Sequence, residues 1–194
     1  MLLTPGRSYT VPAEGFRRVP HTLGNLQHPR PRCVTPIVLL MRHAKADRPA
    51  GVADRDRPLT DRGRRDAAAI GHALGRIDPA PALILTSPAT RASETAQAVV
   101  MGAGWVLAPD VRESLYRGGV QGLVGVLASA EAEVTLAVGH EPTWSTTVEL
   151  LTGAAVRMVT AAVAAIEYDG RPRRGSGSLL WMLTPRLVLD EPPA

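Results

Sequence analysis

A three-layer α/β/α sandwich around a mostly parallel sheet is the fold class this sequence predicts. Two apolar runs, Ile37–Met41 and Val134–Val138, are continuous, as strands buried on both faces require. Between the short apolar runs lie segments with helical apolar spacing, so strands and helices alternate along the chain. Hydrophobic residues make up 45% of the 194, enough to cover a sheet on both faces.

The first strand covers Ile37–Met41 and a polar loop runs from Ala46 to Pro58. A helix follows with Thr60 as N-cap and Ala67, Ile70, Leu74 and Ile77 as its apolar stripe. Ala82–Thr86 is a second strand, and Ser87-Pro88 reads as N-cap and first residue of a helix that buries Ala92, Ala96, Val99 and Val100. Val106 is assigned to a short strand, and Val120, Leu123, Val124 and Leu127 to a helix. After the strand Val134–Val138, Pro142 opens a helix with Trp144, Val148 and Leu151 inward. Ala162–Tyr168 and Ser178–Thr184 form two strands around a Gly/Arg-rich turn. The domain is expected over 37–190.

Residues 1–36 have six prolines and no apolar period, and are expected to be a flexible extension or the product of an early start codon. They hold five arginines (Arg7, Arg17, Arg18, Arg30, Arg32) against Glu14 alone, so they carry the whole net charge of +4. The remainder has 17 basic and 17 acidic residues, which argues against nucleic acid or an acidic membrane surface as the partner of the domain. Cys33 is the only cysteine, so neither an intrachain disulfide nor a cysteine metal site is available. No apolar run reaches membrane-spanning length, and prolines, arginines and Glu14 interrupt any signal-peptide core. A reducing, cytoplasmic setting is the expectation.

Ligands of open α/β sheets bind where strands end. Here the first strand ends in Arg42-His43, the second in Ser87-Pro88 with Arg91 close behind, and a later one in Gly139-His140. Guanidinium groups present paired donors that match phosphate oxygens and stay charged at any working pH. Neutral imidazole is nucleophilic near pH 7, and phosphoryl transfer mainly requires in-line positioning and charge neutralisation. Singly, His43 could cap a carbonyl and Arg91 could be an exposed helical arginine. Together with Arg42 and His140 they point to phosphoryl chemistry that needs neither metal nor cofactor.

The stretches LLMRHAKA (39–46), RPLTDRG (57–63), LTSPATRASETA (85–96) and VGHEP (138–142) resemble, in order, the sequence blocks of the histidine phosphatases. Ala44 stands where the family usually has glycine, a small change that also occurs in the SixA type. The short length and the closing LLWMLTP (179–185) are most similar to that SixA subgroup, the protein phosphohistidine phosphatases. The resemblance covers Ile37 to the C-terminus and implies the phosphoglycerate mutase-like fold. It also implies His43 as the nucleophile, with Arg42, Arg91 and His140 as the phosphate pocket. For the proton donor it points first to Glu113 in VRESLY, with Asp54 and Asp56 as rivals.

From Arg91 to His140 there are 49 residues, too few for a large capping insertion. An open site favours a phosphorylated protein as substrate, with a small phosphorylated metabolite as the alternative. A binding module acting through the basic arm is a more distant reading. His72 is expected at the surface, His21 and His28 lack ligand spacing, and Trp144 and Trp181 are read as core aromatics. The run GSGS (175–178) does not have the order of a nucleophile elbow.

Overall fold

The computed structural model describes residues 35–189. The Pro/Arg-rich stretch, apart from Thr35 and Pro36, lies outside the described residues, as do His21, His28 and Cys33. Six strands form one sheet: β1 Ile37–Arg42, β2 Leu83–Thr86, β3 Asp110–Val111, β4 Val134–Gly139, β5 Val163–Tyr168 and β6 Gly177–Leu183. Their order across the sheet is β3-β2-β4-β1-β5-β6. The pairs β2–β3, β2–β4 and β1–β4 are parallel, whereas β1–β5 and β5–β6 are antiparallel. The sheet is therefore mostly parallel with an antiparallel hairpin at one side.

The helices are α1 Asp61–Leu74, α2 Thr90–Ala103, α3 Ser114–Arg117, α4 Gly119–Ala128, α5 Thr143–Thr152 and α6 Pro185–Val188. Alternation along β1 divides its side chains between two cores. Leu39 and Met41 pack with Ala67, Ile70 and Leu74 of α1 and Ala92, Ala96 and Val99 of α2. Val38 and Leu40 pack on the opposite face with Leu123 and Leu127 of α4 and Trp144, Val148 and Leu151 of α5. These two layers of helices over one sheet are the sandwich that the alternating pattern predicts.

Four local expectations change. Helix α1 ends at Leu74, so Ile77 packs on the first core from the following turn rather than from the helix. Helix α2 begins at Thr90, with Ala89 as N-cap, and not at Ser87. The Ala89 N–H turns back to Ser87 Oγ at 3.3 Å, so Ser87 closes a tight turn ahead of the helix. The strand assigned to Val106 is absent, since that side chain is 99% exposed and the sheet pairing falls at Asp110–Val111. Trp181 packs only partly buried against the first core, while Trp144 is fully buried. Thr60 is the N-cap of α1, its Oγ1 accepting the Gly63 N–H at 3.0 Å. His72 is exposed.

Candidate active site

Sheet order decides which residues meet. Strands β2, β4 and β1 are neighbours and parallel, so their C-terminal ends lie side by side on one edge. Arg42 is in register with Gly139, and the ladder continues one step further where His43 N–H donates to the Gly139 carbonyl at 2.8 Å. Ser87 N–H likewise donates to the Val138 carbonyl at 3.0 Å. His43, His140 and Ser87 thus stand in a row set by backbone hydrogen bonds. Gly139 is required in that row: a Cβ there would stand 2.1 Å from the indole of Trp144.

His43 Nδ1 lies 2.7 Å from the carbonyl oxygen of Ala44. A carbonyl can only accept, so Nδ1 carries the proton and Nε2 keeps its lone pair. That lone pair receives the Nε–H of Arg91 at 3.3 Å. The ring of His140 lies 5.1 Å from that of His43, and His140 Nε2 is 2.8 Å from Ser87 Oγ. Arg42 enters from β1 and donates Nη1–H to the carbonyl of Met158 at 2.8 Å. Its Nε and His140 Nδ1 are buried without a hydrogen-bond partner among the described residues. Thr95 ties the row to α2: its Oγ1 accepts the Ala44 N–H at 3.0 Å and donates to the Arg91 carbonyl at 2.6 Å.

Both histidines are held neutral. Burial lowers His43, the bond to Ala44 pulls it up, and the charges of Arg91, Arg42 and Arg57 push it down again, to about 4. Burial, followed by the charges of His43 and Arg91, pushes His140 down to about 3.

Around this interior lies a mouth of different make. Glu113, just ahead of α3, has its carboxylate forked on Arg55 at 3.0 and 3.1 Å and lies 3.4 Å from Arg117. Neither His43 nor His140 is among its hydrogen-bond or ion-pair partners. Asp54, in the turn Asp54–Asp56, receives Arg91 Nη2–H on Oδ2 and Arg57 Nη1–H on Oδ1, each at 2.9 Å, while its backbone carbonyl accepts from Arg91 Nη1. Asp56 is exposed. Tyr116 of α3 sets its ring edge-on to His140 at 5.6 Å and its hydroxyl 3.4 Å from Asp54 Oδ2. The residue motifs do not single out Tyr116, Ser87 as a partner of His140, or Thr95; their roles depend on contacts across the sheet.

Residues 38–170 match the sequence profile of the histidine phosphatase superfamily (branch 1). The chain belongs to that superfamily. An uncharacterised protein of Mycobacterium tuberculosis (strain H37Rv) is 39% identical over 126 residues, covering 64% of this chain and 76% of the relative. A solved structure assigned as the phosphohistidine phosphatase SixA of Nakamurella multipartitia is 30% identical, with TM-score 0.66. The match covers 78% of this chain and 96% of that one. A second, assigned as SixA of Agrobacterium tumefaciens, is 25% identical with TM-score 0.68, covering 77% and 98%. This histidine phosphatase is therefore similar to the SixA type and carries phosphatase or mutase chemistry on a phosphorylated substrate. Among the described residues no helix is long and apolar enough to cross a membrane.

Proposed function

We propose that the protein hydrolyses phosphohistidine on a protein substrate through a covalent phosphoryl intermediate on His43. The observation that carries this reading is the tautomer of His43, which leaves an unprotonated Nε2 whose lone pair is held only by the Arg91 Nε–H. A phosphoryl oxygen entering the pocket takes over the Nε–H of Arg91 and releases that pair. Nε2 then attacks phosphorus in line as the bond to the leaving group breaks. Water attacks the phosphorus of phospho-His43 in the second half, returning inorganic phosphate and the neutral histidine. Arg42, Arg91 and His140 bind the equatorial oxygens, and Arg42 Nε–H and His140 Nδ1 are polar groups that such oxygens can satisfy.

Leaving-group chemistry supports phosphohistidine. An alkoxide needs a proton donor, whereas the leaving imidazole of a phosphoramidate is basic enough to depart already protonated. The Glu113 carboxylate reaches a leaving group only by giving up Arg55, and Asp54 is engaged by Arg57 and Arg91. The mouth is also low-walled, since only β3, α3 and α4 lie between α2 and β4. The SixA-like neighbours point the same way.

One observation favours a small phosphorylated metabolite instead. A basin of about 370 Å³ beside Asp54 is lined by Arg48, Pro49, Val52 and Arg57, and would suit a compact anion. Turnover on a phosphohistidine peptide, an aryl phosphate and an alkyl phosphate separates the readings. Phosphohistidine hydrolysis is expected to dominate and to survive EDTA, because arginines supply the positive charge, and vanadate is expected to inhibit. Preference for the alkyl ester would establish the metabolite reading, and loss of activity on chelation, restored by a divalent ion, would overturn the metal-free mechanism.

A further inference from the structure

Arg91 is 7% exposed and has five N–H donors, so its orientation depends on what receives them. Nη1 and Nη2 both donate to Asp54, one to the backbone carbonyl and one to the carboxylate. Two terminal nitrogens bound to one residue make up the end-on fork of a guanidinium. The side fork, Nε–H with the second Nη2–H, is left facing His43, to which Nε–H already points. Asp54 is itself braced: Arg57 holds Oδ1 at 2.9 Å, and the Tyr116 hydroxyl stands 3.4 Å from Oδ2.

We infer that Asp54 is a positioning residue, which grips the end-on fork of Arg91 and thereby aims its side fork at the phosphoryl group. This rests on the phosphoryl pocket proposed above. The alternative role for Asp54, proton donor to the leaving group, conflicts with its surroundings. Burial is the largest single influence and raises its carboxyl, but the hydrogen bonds from Arg57 and Arg91 and their charges together outweigh it and hold the group below the usual carboxylate range. A carboxyl so held has no proton to give at neutral pH. Nor does Asp54 block the pocket, because the fork it occupies is not the one turned toward His43.

Asp54→Ala and Asp54→Asn are compared with the wild type on aryl phosphates of graded leaving-group pKa, with vanadate affinity and melting temperature measured alongside. Loss of aim lowers kcat of the Ala variant by about tenfold to a hundredfold, by the same factor for every leaving group. Vanadate, held like the transition state, binds more weakly by a comparable factor. Asn recovers part of the loss, since its amide oxygen still accepts from Nη2, and both melting temperatures stay close to wild type because the Asp54 side chain is 58% exposed. A loss that grows with leaving-group pKa would make Asp54 an acid. Tighter vanadate binding would make it a competing anion, and an unchanged kcat would show that the rest of the pocket orients Arg91; each result overturns the inference. A wild type that neither turns over these esters nor binds vanadate would instead overturn the reading of the site itself.

Discussion

The interior of the site and its mouth are held by different forces. In the interior, His43, Ser87 and His140 continue backbone ladders of β1, β2 and β4, and Gly139 and Trp144 leave the backbone no room to shift. Across the mouth, Arg55, Glu113 and Arg117 are connected by side-chain ion pairs whose partners are 42–75% exposed. Exposed pairs contribute about 0.2–1 kcal/mol each and weaken with salt, whereas a buried ladder with a packed indole yields only with the fold. The residues proposed to carry the reaction sit on the first kind of support.

The largest expected effect tests the interior. His43→Ala removes the proposed nucleophile and is expected to abolish turnover with little change in melting temperature, measured by steady-state kinetics and thermal denaturation. Arg91→Ala follows, with a loss of about 10²–10³ in kcat on removal of the guanidinium donors. Substantial residual activity in His43→Ala would break the assignment of the interior as the reacting centre.

Gly139→Ala tests the support rather than the chemistry. Its Cβ would overlap the Trp144 ring, so overpacking should lower stability by about 1–3 kcal/mol in chemical denaturation. An unchanged denaturation midpoint would show that the row at the strand ends is looser than the ladder implies.

A third test is the titration of the two histidines. With His43 near 4 and His140 near 3, both rings should stay neutral from pH 8 to 5, visible as constant imidazole ¹⁵N shifts. The unfolded chain binds protons near pH 6.5 that the folded chain refuses until about pH 4. Stability from these groups therefore falls as pH drops through that window, and His140→Gln should flatten the slope between pH 6.5 and 5. A midpoint near 6.5 for either ring would mean that the interior is wetter than its burial implies.

The smallest effects are expected outside the interior. Glu113→Gln removes the fork with Arg55 and should change stability by less than about 1 kcal/mol. Its kcat on phosphohistidine should hardly move, and a large fall confined to alkyl phosphates would restore Glu113 as proton donor. A chain beginning at residue 35 should keep the melting temperature and kcat/KM of the full chain on a small phosphate ester. A loss of several degrees would mean that residues 1–34 stabilise the domain, since 1 kcal/mol moves Tm by about 2–4 °C at this size.

The sequence by itself determined the sandwich and the interior residues, because both follow from local pattern. Apolar runs such as Ile37–Met41 can only be buried on two faces, and Arg42-His43, Ser87 and Gly139-His140 fall where such runs stop. Its errors came where pattern is weak: a turn closed by Ser87 delays the start of α2 to Thr90, and Val106 projects into solvent instead of forming a strand. Only the tertiary structure decided the partners. That Asp54 holds Arg91, that Glu113 is forked on Arg55, and that Ser87 meets His140 depends on which strands become neighbours. Residues 37 to 58 positions apart in the chain were brought within hydrogen-bond reach by the order β2-β4-β1 and the loop over it. A side chain's spacing along the chain carries its face and its place at a strand end; its distance to a distant residue is set by the sheet.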